Sequence, residues 1–429
     1  MISYVWEMKG QKPIINEILR PSWREIIPTV HIAPSEFEFG EYKGNMSTWK
    51  SLGQFVNQLN TGKGELPEFV KSKVRDIAGS YTTVKEKVEA LYAYLQNNTR
   101  YISIQLGIGS WQPFDAKYVA SNKYGDCKAL SNYMVSLLKE VGIKANYVLI
   151  DAGENAKELI EEFPSPSFNH VIACVPNGKD TIWLECTSQT VSPGYMGTYT
   201  GNRKALLIDE DGGHVVSTPY YKPSDNQQLR KVVATIEQDG TLKARVLTRF
   251  TGEQQELQHV LIHDATEEER KKYLNRVISL PTYKVTTSNY TEKRTSLPEI
   301  TEELEIEAPE FTAVSGKRLF VTPNLFNKSG TKIPDIIVRK YPLVFRSNYL
   351  DIDTVLITVP NEYTLESMPK SVELKNDFGD YSIRFEVNGN QLEMIRKYIR
   401  TKKVLAPEKY GDVQKFFDAV RRADNGRIV

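Results

Sequence analysis

The chain has 429 residues, 40% of them apolar, and its 55 Lys and Arg balance 54 Asp and Glu to a net charge of +1. At roughly 150 residues per domain this suggests about three packed domains and excludes a disordered chain. With no long basic or acidic run there is no electrostatic basis for a nucleic-acid or anionic-membrane partner, and no apolar run approaches the roughly 18 residues of a membrane span. Three cysteines make no disulfide framework, and no repeat or low-complexity tract is visible. The segment from Met1 to Glu7 lacks the basic and apolar regions of a signal peptide, which taken literally places the chain in the cytoplasm.

Residues 1–62 combine a strand pattern at 2–6, a connection carrying Pro21, Pro28 and Pro34, and a helical stretch near 49–59. This is thin for an independent domain and reads as the end of an upstream domain plus a strap. Two helices begin near Leu66-Pro67. The second opens on a capping box, Thr83 to Glu86, with Val84, Val88, Leu91, Tyr92 and Leu95 along one face. A strand-like run at 101–106 and a loop at 107–122 lead to Tyr124-Gly125-Asp126-Cys127-Lys128.

After Cys127 the apolar residues Leu130, Met134, Leu137, Leu138 and Val141 recur at helical spacing, with Gly142 at the C-cap. Gly125 and Asp126 supply a turn and an N-cap, so Cys127 falls in the first turn. Unpaired backbone N–H groups there carry partial positive charge and favour thiolate, the nucleophilic form. The alternative is a small buried thiol that merely begins a core helix. A strand at 145–150 follows, then a loop or helix-bearing insertion at 151–166, giving an α+β pattern.

Runs at 168–175 and 181–187 flank Pro176-Asn177-Gly178, a hairpin signal. A two-residue Asn177-Gly178 turn sets His170 directly opposite Glu185. A four-residue loop leaves them diagonal on one face, and an odd loop opposes His170 to Cys186 instead. Pro176 weakens the first register because it cannot donate the turn's second hydrogen bond. Histidine beside carboxylate is how an imidazole is oriented for general-base work. Cys174 and Cys186 are read as core thiols. A metal site from His170, Cys174 and Cys186 is disfavoured because the preferred register keeps Cys186 off the His170 face.

A strand near 204–208 and a turn at Asp211 precede a composition shift near Pro223. Residues 223–429 read as a β-rich domain with hairpins around Asp239-Gly240 and Asn388-Gly389, a charged helix at 266–277 and an amphipathic helix after Asp412. His259 and His263 lie four apart without an HExxH motif or an evident third ligand, so no metal is assigned and the pair is read as solvated or packed.

The set Gly125-Asp126-Cys127-Lys128, Asn169-His170-Val171 and Trp183-Leu184-Glu185-Cys186-Thr187 resembles the transglutaminase-like superfamily. The resemblance implies an α+β, papain-type core over 63–222, in which a cysteine helix packs on an antiparallel sheet. Residues 98–109 before Cys127 resemble bacterial proteins in which such a core sits between two β domains, the upstream one behind a signal peptide. That implies that 1–62 end a longer protein, periplasmic or secreted, rather than begin a cytoplasmic one. Carried over, Cys127 is the nucleophile, His170 the base and Glu185 the orienting acid, where the superfamily more often has aspartate. Gln105, Trp111 and Gln112 are candidates for a second oxyanion donor, Gln105 foremost. The implied activity is acyl transfer on a peptide or protein substrate without cofactor. The alternative is a degenerate scaffold that binds peptide or glycan. Oligomeric state is not legible.

Overall fold

The structure, a computed structural model, describes residues 3–315, 317–335 and 338–429. The first half is built on a five-stranded antiparallel sheet ordered Asp180–Leu184, His170–Asn177, Asn146–Ile150, Lys204–Asp209, Gly212–Ser217. One face is covered by the cysteine helix, Cys127–Glu140, which is buried along most of its length because helices Glu68–Gly79, Val84–Asn98 and Ala116–Asn122 pack around it. On the same face, helix Trp49–Asn60 lies over the two strands at 204–217.

The local signals behave as elementary helix chemistry requires. Thr83 and Glu86 close a reciprocal capping box on Val84–Asn98. Asp126 caps the cysteine helix by accepting the Ala129 N–H at 2.9 Å. At its far end Gly142 takes a left-handed φ of +74°, and the Ile143 N–H returns to the Leu138 carbonyl at 3.0 Å.

Several expectations are corrected. The run at 101–106 is not a strand beyond Arg100–Tyr101, which pairs in parallel with Tyr124–Gly125; Gly107 turns the chain with a positive φ and Leu106 is left in solvent. The strand pattern at 2–6 is likewise not realised. Ile2 lies outside the described residues, and residues 3–6 form no strand and leave Tyr4, Val5 and Trp6 exposed. A hairpin, Glu36–Phe39 with Tyr42–Asn45, was not foreseen. Residues 151–166 contain no helix.

The second half is an eight-stranded sheet ordered Lys284–Lys293, Glu299–Ala308, Leu242–Thr251, Gln227–Ile236, Tyr349–Thr358, Gln391–Arg400, Gly379–Asn388, Val372–Asn376. Every pairing is antiparallel except Gln227–Ile236 with Tyr349–Thr358. Its core gathers one face of this sheet with helices Glu267–Val277 and Tyr410–Asp424. A third helix among the described residues, Glu256–His263, stands where two were expected. Its apolar face is short, with Leu261 buried but Leu257 and Val260 exposed, so its periodicity is weak in the sequence. It meets the first half at Thr190, Tyr195 and Thr198 and closes one wall of the cavity described below.

Candidate active site

Strand pairing decides how the acid meets the base. The register pairs Asn177 with Asp180 and Ala173 with Leu184, so Glu185 lies diagonal to His170 rather than directly opposite. The preferred two-residue Asn177-Gly178 turn is therefore corrected. The turn residues are Gly178, with φ +66°, and Lys179, without a positive φ, as a type II′ turn requires. The reason lies in Pro176. A turn closed by residue 176 needs its N–H, which proline lacks, whereas closure at Asn177 places Pro176 between hydrogen-bonded pairs. The shift is two residues in sum, so parity and face are kept.

Across that diagonal Glu185 reaches His170 Nε2 with both carboxylate oxygens, each at 3.0 Å. The extra methylene that separates glutamate from aspartate supplies the length. Glu185 Oε1 also accepts the Thr187 N–H at 3.2 Å and the Thr187 hydroxyl at 2.5 Å. From the flanking helix the Tyr92 hydroxyl donates to the Glu185 carbonyl at 2.7 Å. Thr187 and Tyr92 were not anticipated. Thr187 sits two residues along from the acid, but Tyr92 is visible only in the sequence as one more apolar-face residue.

His170 and Glu185 are both buried. Burial alone would lower the imidazole pKa, yet the Glu185 charge and hydrogen bonds, with Cys127 nearby, push it up to about 10. Burial likewise works to raise the Glu185 carboxyl, and the His170 charge and the Thr187 hydrogen bonds hold it below its ordinary value. Since Glu185 engages Nε2, Nδ1 is the nitrogen left for Cys127. The helix is tied to the histidine strand by Ser131, whose hydroxyl donates to the Val171 carbonyl at 3.1 Å.

Cys127 is 3% exposed. Asp126 before it is buried and pairs with the buried Lys128 ammonium. The Tyr147 hydroxyl is buried near Cys127 and Asp126, which with desolvation raise its pKa, and it has no hydrogen-bond partner among the described residues. Gln105 is exposed. Gln112 donates to the Tyr42 hydroxyl and the Leu59 carbonyl, and Trp111 packs edge-on to Phe55. Cys174 and Cys186 fall in different apolar clusters, and burial pushes the Cys174 thiol up to about 12 and that of Cys186 higher.

A cavity of about 480 Å³ opens on the imidazole side, between the first-half sheet and the start of the second half. His170 and Glu185 line it with Tyr101, Tyr195, Tyr199 and Val260, and Cys127 does not. The Tyr199 ring stands edge-on to His170 at 5.4 Å between centroids.

Residues 71–192 match the family model described as "Transglutaminase-like superfamily", and 317–429 match a domain of unknown function, DUF3858. No curated protein matches the chain. Among solved structures, a candidate protease from Parabacteroides distasonis aligns over 94% of this chain with TM-score 0.51 and 13% identity. The alignment spans 64% of that protein, under two thirds of its length. A candidate cysteine protease from Cytophaga hutchinsonii aligns over 39% of this chain and 59% of its own, with TM-score 0.24 and 14% identity. The fold is α+β, with the cysteine helix on an antiparallel sheet followed by a β-rich region, and residues 71–192 of its core are similar to the transglutaminase-like superfamily.

Proposed function

We propose that the protein is a cysteine-dependent acyl-transfer enzyme acting on peptide or amide bonds. The observation that carries this reading is the imidazole of His170, held by both oxygens of Glu185 at Nε2 and close enough to Cys127 for the thiol to help raise its pKa. A histidine so biased takes the thiol proton, leaving a thiolate in the first turn of a helix whose backbone dipole stabilises it. The sulfur attacks the amide carbonyl, and the Cys127 N–H is one donor to the developing oxyanion. The Tyr147 hydroxyl is better supported as a second donor than Gln105, because it is buried beside Cys127 and unpaired. The imidazolium then protonates the leaving amine, the C–N bond breaks and a thioester remains. Water converts it to an acid, as in a peptidase; an amine converts it to a new amide, as in a transglutaminase. The tyrosine-rich cavity suits an apolar or aromatic side chain of the substrate.

A second reading, a peptide-binding scaffold without turnover, is favoured by one observation: Cys127 is nearly sealed and is not part of the cavity wall. A thiol-directed activity probe on wild type and Cys127→Ala separates the two. The enzyme reading expects labelling at Cys127 that is lost in the variant, followed by cleavage or amine incorporation in a peptide library. Peptide retention with an unlabelled Cys127 would support the scaffold.

A further inference from the structure

Helix Glu256–His263 carries His259 and His263 one turn apart, on one face. The sequence offers no third partner, because it lies about thirty residues on. Pairing of strand Lys284–Lys293 with Glu299–Ala308 brings Glu292 against both rings. Glu292 Oε1 is 2.7 Å from His259 Nδ1, and Oε2 is 2.9 Å from His263 Nε2. The ring centroids are 4.4 Å apart. One donor atom from each of the three residues lies within 4.8 Å of the others. Two members are shielded, the His259 and Glu292 side chains being each 13% exposed, while His263 sits at the surface with its side chain 26% exposed.

Two imidazole nitrogens and a carboxylate make the donor set of an open, three-ligand zinc-type site. The remaining nitrogen of His259, Nε2, lies 2.8 Å from the Thr190 hydroxyl of the first half. That contact is what an outer partner of a ligating histidine provides: if Nε2–H donates to Thr190, the Nδ1 lone pair is free to bind an ion. A hydroxyl can accept or donate, so the same contact also accommodates the tautomer in which Nδ1–H bonds Glu292.

We propose that His259 through Nδ1, His263 through Nε2 and the Glu292 carboxylate bind a divalent late first-row metal ion, with Zn²⁺ as the test ion. His259 and Val260 line the cavity that also holds His170 and Glu185, and Thr190 lies in the segment running from Thr187 to Ser192 along that cavity. The ion therefore joins the helix and strand of the second half to a loop of the first, beside the imidazole but not through it. Three protein ligands leave a position for water or a substrate group.

The test uses the full chain in a Cys127→Ala background, which removes the thiol–imidazole pair as a competing metal site. Chelator-stripped protein is titrated with Co²⁺ by absorbance and with Zn²⁺ against a chromogenic chelator. One equivalent is expected, at about micromolar affinity or tighter, with Co²⁺ bands of nitrogen ligation below six-coordination. Glu292→Gln and His263→Asn should weaken binding by about 100-fold, and Thr190→Val by about tenfold, in line with loss of a ligand or of its outer partner. Metal-free thermal unfolding of each variant, and the rise in wild-type Tm on adding Zn²⁺, read the site apart from any folding defect. Zn²⁺ that leaves the wild-type Tm unchanged, or binds equally to Glu292→Gln and His263→Asn, overturns the assignment.

Discussion

The hydroxyl of Ser131, one helical turn beyond Cys127, donates to the carbonyl of Val171, the residue after His170, at 3.1 Å. This fixes the cysteine helix against the histidine strand at the height of the candidate site. Positioning of this kind decides rate: a misplacement of about 1 Å can cost about 100-fold.

Ser131→Ala should therefore lower turnover more than substrate binding. Loss of the buried hydrogen bond should also destabilise the fold by about 1 to 3 kcal/mol. Steady-state kinetics beside urea unfolding checks both, and a variant that lost only stability would argue that Ser131 positions nothing.

Both oxygens of Glu185 meet the His170 ring, so its removal should be read at the imidazole. Glu185→Gln should lower the His170 pKa from its raised value, as followed by NMR of the ring. The rate of acyl transfer should drop by about 10² to 10⁴-fold, the range for a misoriented general acid–base. Alkylation of Cys127 should become slow below the ordinary thiol range near about 8.5. Equal alkylation profiles in wild type and variant would detach the carboxylate from the chemistry.

Stability should depend on pH through the same pair. His170 is raised in the folded state to about 10 from 6.5, so its contribution is complete below 6.5 and is lost as the pH climbs towards 10. Glu185 is lowered from 4.5, so its contribution is present above 4.5 and is lost as the pH falls below that value. Thermal unfolding across pH 3 to about 10 should show the pair's support greatest between those limits. Glu185→Gln should flatten the alkaline decline, and an unchanged slope would contradict the coupling.

Gly53 governs how closely helix Trp49–Asn60 approaches the strands beneath. A Cβ there would stand 2.0 Å from the Gly213 nitrogen and 2.3 Å from its Cα, both backbone atoms that cannot swing aside. Gly53→Ala should cost about 3 kcal/mol by overpacking, despite alanine's better helix propensity. A denaturation midpoint unchanged or higher would show that the helix can lift without loss.

The sequence alone determined what short-range rules govern. The capping box at Thr83, the N-cap at Asp126, the apolar stripe after Cys127 and the glycine at 142 act within one or two helical turns, so neighbours along the chain suffice to read them. Alternation of side chains on two strands likewise put His170 and Glu185 on one face, because parity survives a two-residue change in register. The tertiary structure decided the rest. Only strand pairing set Glu185 on the diagonal, with Pro176 excluding the tighter closure. Tyr92 reached the acid, Ser131 tied helix to strand and Glu292 met His259 and His263 through packing of elements far apart in the chain. Residue type and spacing leave such meetings degenerate, since many registers bury similar apolar area. The cavity depends on how helix Glu256–His263 lies against the 190–198 segment of the first half, which is settled by the packing of side chains from both halves together.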